Sequence, residues 1–130
     1  MRPVLPPLAV GLMPVVMLAL MAAGPAAAQQ AAPTAPLSLE QRMLVRCSAA
    51  FALVAHGQAG GDAAALAWPA LGARGREFFV RASARLIDEA GLDRAALTTA
   101  MIEEAQDLGQ NGALAAAMPP CLSVLEASGL

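Results

Sequence analysis

Apolar residues recur every three to four positions along the chain after residue 38, which is the period of a helix with one buried face. The first such stripe consists of Leu39, Met43, Cys47, Phe51 and Val54 or Ala55. A second follows Gly75 and consists of Phe79, Ala82, Leu86 and Ala90, and a third consists of Leu97, Met101, Ala105 and Leu108. No stretch alternates with the period of two that a β-strand requires, so the pattern predicts an all-α fold.

Polar residues mark the ends of the first predicted helices. Ser38 is followed three residues later by a glutamine, which is the spacing of a capping box, so a helix is expected from Leu39 to His56-Gly57. Asp62 is placed to cap a short alanine-rich helix over residues 63–67. A third helix is expected to begin after Gly75 and to end at Gly91.

The turn near residue 91 carries the clearest local signals. Gly91 suits the left-handed residue that ends one helix, and Asp93 suits the cap of the next. Leu92 and Leu97 occupy the two positions of a hydrophobic staple, which sets the angle between the two helices. The pattern therefore predicts two helices that meet at a tight turn.

The C-terminal part has a helical composition interrupted by two prolines. Residues 113–118 and 121–127 are predicted as short helices, the second with Leu122 and Leu125 inward, and Pro119-Pro120 between them predict a corner. The chain is thus expected to form a small bundle of four to five helices.

The N-terminal residues 1–28 have the layout of a signal peptide. Arg2 is followed by an uncharged apolar stretch over residues 8–23, and Ala26-Ala27-Ala28 supplies the small side chains that a signal peptidase accepts. The alternative is a permanent membrane anchor. However, the apolar run is shorter than the roughly 20 residues that a span needs, and Pro14 interrupts it.

We therefore expect cleavage after Ala28 and export to the periplasm. Residues 29–36 contain two prolines and no large apolar side chain, so they are predicted to be a flexible leader before a helical domain over residues 37–130. The mature chain would carry seven arginines against ten acidic residues, a formal charge of −3.

Composition excludes several classes of partner. The chain has no lysine and no basic run, so it lacks the positive surface that binds nucleic acid or an anionic membrane. Only 3% of the residues are aromatic, which leaves few of the rings on which sugars and single-stranded nucleic acids stack. We therefore expect a protein or a small molecule as the partner. No stable membrane insertion is expected after cleavage, and the sequence does not specify the oligomeric state.

Cys47 and Cys121 are the only cysteines. An even number of cysteines in an exported chain favours a disulfide, which would tie the first helix to the end of the domain. The alternatives are a reactive thiol or a metal ligand, but 74 residues separate the two positions and no Cys-x-x-Cys pattern is present. A Cys47–Cys121 disulfide is the prediction.

The sequence offers little for catalysis or cofactor binding. His56 is the only histidine, so the usual ligand set of zinc is missing, and a surface or capping role is expected for it. Covalent haem needs a Cys-x-x-Cys-His motif, which the sequence lacks. The adjacent acids Asp88-Glu89 and Glu103-Glu104 point about 100° apart on a helix, which is typical of a solvated face. The serines have no nucleophile-elbow pattern around them. We therefore expect no catalytic, cofactor-binding or metal site and no enzymatic activity.

Several segments together resemble a known group of proteins. These are Cys47 in the first helix, the runs over residues 75–79 and 88–92, and Met118-Pro119-Pro120-Cys121-Leu122. The chain is similar to small exported helical proteins of unassigned function from sphingomonad-type alphaproteobacteria. That resemblance implies export, helices and a Cys47–Cys121 link, and it implies no activity.

The sequence therefore predicts a periplasmic, non-enzymatic module that binds or protects another envelope protein. Three alternatives remain. The first is an acid-stress periplasmic chaperone of the HdeA kind, with which the chain shares its small size, helical pattern and cysteine pair, without a common motif. The second is an immunity-type or inhibitory partner, and the third is a small-molecule binder that uses a cavity between the helices.

Overall fold

The computed structural model describes residues 35–130. The predicted signal peptide and residues 29–34 of the predicted leader lie outside this range. Five helices form the described part: α1 (Leu39–Ala59), α2 (Ala63–Leu66), α3 (Gly72–Ala90), α4 (Arg94–Leu108) and α5 (Ala113–Ala127). Residues 35–130 contain no strand, so the all-α prediction is confirmed.

Helix α1 is central, and each of the other four helices packs against it. Buried side chains therefore lie around much of its circumference, and they are Leu44, Val45, Cys47, Ser48, Ala49, Ala50, Phe51 and Val54. The predicted stripe was wrong at its N-terminal end, since Leu39 is 70% exposed. This residue is the first of the helix, where no neighbouring helix covers it.

The predicted capping box is present at the start of α1. The hydroxyl of Ser38 accepts a hydrogen bond from the backbone of Gln41, and the Gln41 side chain accepts one from the Ser38 backbone. At its other end α1 continues past Gly57 to Ala59. A Cβ at Gly57 would lie 2.7 Å from the Cβ of Ala65, so this glycine lets α2 approach the side of α1.

The turn between α3 and α4 matches the local signals. Gly91 has a φ of 66°, and the Asp93 carboxylate accepts a hydrogen bond from the backbone of Ala96 at 2.7 Å. Leu92 and Leu97, the predicted staple pair, are both 7% exposed. The prediction of two helices meeting at a tight turn is confirmed.

The predicted corner at Pro119-Pro120 was wrong, because α5 is one continuous helix that contains both prolines. Each proline removes a backbone donor and frees the carbonyl four residues earlier. The residues concerned, Ala115 and Ala116, are exposed along with the prolines themselves. Water can therefore satisfy the freed carbonyls, and the buried side of α5 is left intact.

The disulfide between Cys47 and Cys121 joins α1 to α5, with the two Cα atoms 5.1 Å apart and both residues fully buried. The predicted disulfide is confirmed. Trp68 is half-buried and packs against the same core, as do Leu37 and Leu122. Within residues 35–130, no helix combines the length and hydrophobicity needed to cross a membrane.

Candidate functional site

The residues weighed for catalysis lie apart on the surface. His56 is exposed on α1. Glu89 forms an ion pair with Arg85, and Glu104 forms one with Arg46. In the part of the chain that the structure describes, no three histidine, cysteine or acidic side chains are grouped to hold a metal ion.

An apolar groove lies between α1, α3 and α4. Helices α3 and α4 both pack extensively on α1 but contact each other little beyond the turn that joins them. Their divergence leaves a groove of about 740 Å³. It is lined by Ala49, Ala52 and Leu53 of α1, by Phe79, Ser83 and Ile87 of α3, and by Arg94, Leu97, Thr98, Met101, Ile102 and Ala105 of α4.

Small side chains on α1 form the floor of the groove, and large side chains on α3 and α4 form its two walls. Ala49 and Ala52 contribute only methyl groups from α1, so the floor stays low between the two wall helices. Along the walls, Phe79 is 38% exposed, Ile87 45% and Ile102 53%. Large apolar side chains are thus held open to solvent along a concave surface, which is the arrangement expected of an interaction site.

Three polar side chains interrupt the apolar lining. Arg94 is the only charged one. Thr98 donates a hydrogen bond to the backbone carbonyl of Arg94 at 2.8 Å. The Oγ of Ser83 is buried and has no hydrogen-bond partner among the described residues.

Two sets of ion pairs hold the walls of the groove against α1. Arg46 of α1 pairs with Glu104 and, at 3.2 Å, with Asp107, both on α4. Arg85 of α3 pairs at 2.9 Å with Glu40 of α1. Each wall is therefore tied to the floor helix by an arginine and at least one carboxylate.

These contacts raise the pKa of both arginines. For Arg46, desolvation lowers the pKa, but hydrogen bonds with Asp107 and Glu104 outweigh it and raise the pKa above the ordinary value. For Arg85, hydrogen bonds with Glu89 and then Glu40 raise the pKa. A raised pKa stabilises the folded state at every pH below the ordinary value, and this contribution is lost only in strong alkali. Neither arginine titrates in the physiological range.

The sequence pattern had placed Phe79 on the buried stripe of α3, and this was wrong. The buried stripe consists of Gly75, Phe78, Ala82 and Leu86. Phe79 and Ile87 form a second stripe beside it and face the groove instead. Two adjacent phenylalanines on one helix were the available signal, because they cannot both belong to a single narrow stripe.

On α4, too, part of the stripe that was predicted to be buried lines the groove instead. Leu97 and Leu108 of its predicted stripe are buried, but Met101 and Ala105 are half-buried and line the groove. Ile102, which lies outside the predicted stripe, is exposed on the groove wall. Sequence reasoning thus missed the apolar residues of α3 and α4 that lie beside the faces packed on α1.

No known protein family, curated protein or solved structure matches this chain. The resemblance to exported helical proteins of sphingomonad-type bacteria therefore stays a prediction. The groove has to be interpreted from its own residues.

Proposed function

We propose that the protein is a non-enzymatic binding module of the periplasm, and that the groove between α1, α3 and α4 holds an apolar guest. The observation that carries this proposal is the exposure of Phe79, Ile87 and Ile102 on the walls of one concave surface. Burying a large apolar side chain completely stabilises a protein by about 1.5–3 kcal/mol. A guest that covers these partly exposed groups gains a fraction of that amount from each.

The disulfide supports the periplasmic location. Disulfides persist in oxidising compartments and are rare in the bacterial cytoplasm. The Cys47–Cys121 bond is fully buried and joins distant parts of the chain, which is typical of a structural bond in an exported domain. Cleavage after Ala28 and export are therefore retained as part of the proposal.

The size of the groove favours a small apolar molecule over a partner protein as the guest. Pockets for small ligands usually measure about 300–1,000 Å³, and this groove measures about 740 Å³. The wall on α3 runs from Phe79 to Ile87, which corresponds to roughly 12 Å of helix. An envelope partner protein, as expected from the sequence, stays a prediction.

The proposal is tested by filling the groove from its floor. Ala52 is exposed on α1 between the walls, so the substitution Ala52→Trp places an indole where the guest would lie. We expect this variant to bind the neutral fluorophore N-phenyl-1-naphthylamine at least about tenfold more weakly than the wild type, a loss of about 1.4 kcal/mol. Fluorescence titration of the purified exported protein measures the affinity.

Ala116→Trp is the matched control, since Ala116 is an exposed helical alanine on α5 and lies outside the groove. It should bind the fluorophore as the wild type does. Equal binding by all three proteins, or no binding by the wild type, would refute the groove as an apolar site. Circular dichroism establishes that each variant is folded.

A second candidate function is that of an acid-responsive chaperone. The specific observation in its favour is that the ion pairs of Arg46 and Arg85 tie both groove walls to α1. Neutralising the carboxylates of these pairs removes the attraction and leaves the arginine charges unbalanced. The walls would then separate from α1 and expose more apolar surface.

We expect fluorophore binding to increase as the pH is lowered from 7 to 3 if this second function holds. The variant Glu40→Gln/Glu104→Gln removes one carboxylate from each wall contact, so its increase should begin at a higher pH than that of the wild type. Glu103→Gln is the control, because Glu103 forms no ion pair within residues 35–130. A flat fluorescence profile down to pH 3 would eliminate the chaperone hypothesis.

A further inference from the structure

The groove has a single cation, and it lies at one end. Arg94 is the first residue of α4 and the only charged residue in the lining. It forms no ion pair within residues 35–130, whereas Arg46 and Arg85 beside the groove are both paired. The neighbouring acid, Asp93, is occupied as the cap of α4, where it accepts from the backbone of Ala96. A guanidinium without a partner is therefore available at the end of the groove nearest the α3–α4 turn.

Arg94 lies in the first turn of α4, beside the Asp93 carboxylate that caps the helix. The N-terminus of a helix carries partial positive charge. An anion bound beside Arg94 is attracted by both the guanidinium and the helix end. The groove is thus suited to a guest with a negative charge at this end and nowhere else.

A second polar group in the lining also lacks a partner. The Oγ of Ser83 is buried on the groove side of α3 and neither donates nor accepts a hydrogen bond among the described residues. Buried hydroxyl groups are normally hydrogen-bonded. Because this oxygen has almost no accessible surface, a guest in the groove does not reach it, and the choice of the head group falls to Arg94.

The remainder of the groove suits a single hydrocarbon chain. From Arg94 to Ala105 the α4 wall includes twelve residues, and the helix rises roughly 16 Å between the first and the last. Beyond the hydroxyls, the lining along this length is apolar and includes Met101 and Ile102 on α4 and Phe79 on α3. The surface is therefore elongated, apolar along its length and positive at one end.

We infer that the guest is a free fatty acid, with its carboxylate on Arg94 and its alkyl chain along the groove. This inference rests on the proposed function, because it requires the groove to bind an apolar guest at all. A guanidinium presents two parallel N–H donors that match the two oxygens of a carboxylate. Arg94 is the residue that selects the anionic head, and the apolar walls bind the tail.

The experiment compares two ligands that share a chain and differ in the head. Laurate and 1-dodecanol are each titrated against the N-phenyl-1-naphthylamine complex of the full exported protein at pH 8, below the micellar concentration of laurate. We expect laurate to displace the fluorophore at a concentration about tenfold lower than dodecanol does. The difference should shrink as salt is added, since Arg94 is solvent-exposed.

Arg94→Gln is expected to abolish the preference for laurate and to leave the affinity for dodecanol unchanged. Arg76→Gln is the matched control, because Arg76 is also exposed and forms no ion pair within residues 35–130 but lies outside the groove lining. It should keep the full preference. Loss of dodecanol binding in Arg94→Gln would show instead that the variant has lost the groove, and would overturn the role given to Arg94.

The outcomes separate this inference from the proposed function. If both ligands displace the fluorophore equally from the wild type, the apolar site stands and the fatty-acid inference is overturned. If the fluorophore does not bind, the proposed function itself fails. Arg94-dependent binding to vesicles of anionic phospholipid, without displacement by laurate, would assign Arg94 to a membrane surface and also overturn the inference.

Discussion

Reduction of the Cys47–Cys121 disulfide is expected to lower the free energy of unfolding by about 4 kcal/mol. The bond joins residues that are 74 positions apart, so it closes a loop that includes most of the folded domain. Constraining a loop of this length in the unfolded chain stabilises the native state by roughly 4.5 kcal/mol on entropic grounds. Domains of this size are usually stable by only about 5–15 kcal/mol, so the reduced protein should lie close to its unfolding transition.

Urea denaturation followed by circular dichroism, with and without a reductant, measures this loss. The variant Cys47→Ala/Cys121→Ala should unfold at nearly the same urea concentration as the reduced wild type and should not respond to the reductant. A difference below about 1 kcal/mol between the oxidised and reduced proteins would mean that the helices hold the domain together without the bond.

The second large effect is expected from Phe51→Ala. Phe51 is fully buried in α1, and its ring forms a T-shaped pair with Phe78 at a centroid distance of 5.2 Å. Its Cβ lies 3.0 Å from the position that a Cβ on Gly75 would occupy. The close backbones of α1 and α3 leave little freedom to collapse into the space that the ring vacates. Such a cavity costs about 3–5 kcal/mol of stability.

Phe79→Ala is the informative comparison for Phe51→Ala, since it removes the same ring from a partly exposed position on α3. It should cost less than about 1.5 kcal/mol in the same urea assay, because solvent already reaches the ring. Its main effect should be weaker binding of N-phenyl-1-naphthylamine. Similar losses of stability in the two variants would contradict the assignment of Phe78, rather than Phe79, to the core.

The ends of the helices were predictable because their signals are local. Ser38 and Asp93 each act within four residues, through a side chain that satisfies a backbone donor, and Gly91 acts through its own φ. Local signals were insufficient at Pro119-Pro120. Whether two prolines break a helix depends on whether water reaches the freed carbonyls, and this depends on how α5 lies on the rest of the domain.

The groove was not predictable from periodicity. The repeat of apolar residues places Phe78 and Phe79 on one broad face of α3, but it does not say which of them faces α1. That choice depends on the rotation of α3 against α1 and on the divergence of α3 from α4, which are tertiary properties. Arg94 had no distinguishing feature in the sequence. It was singled out only because the fold brings it to the same groove as Ser83 and Ile102.

The disulfide also determines how the domain responds to mechanical tension. If the two ends of the domain are pulled apart, the force enters at the start of α1, crosses the sulfur–sulfur bond at Cys47 and leaves through the last two turns of α5. Every residue that lines the groove, from Ala49 to Ala105, lies inside the covalent loop and outside this load path. Tension would therefore bypass the lining residues themselves and act first on Glu40 and Arg46, whose ion pairs hold the two walls against α1.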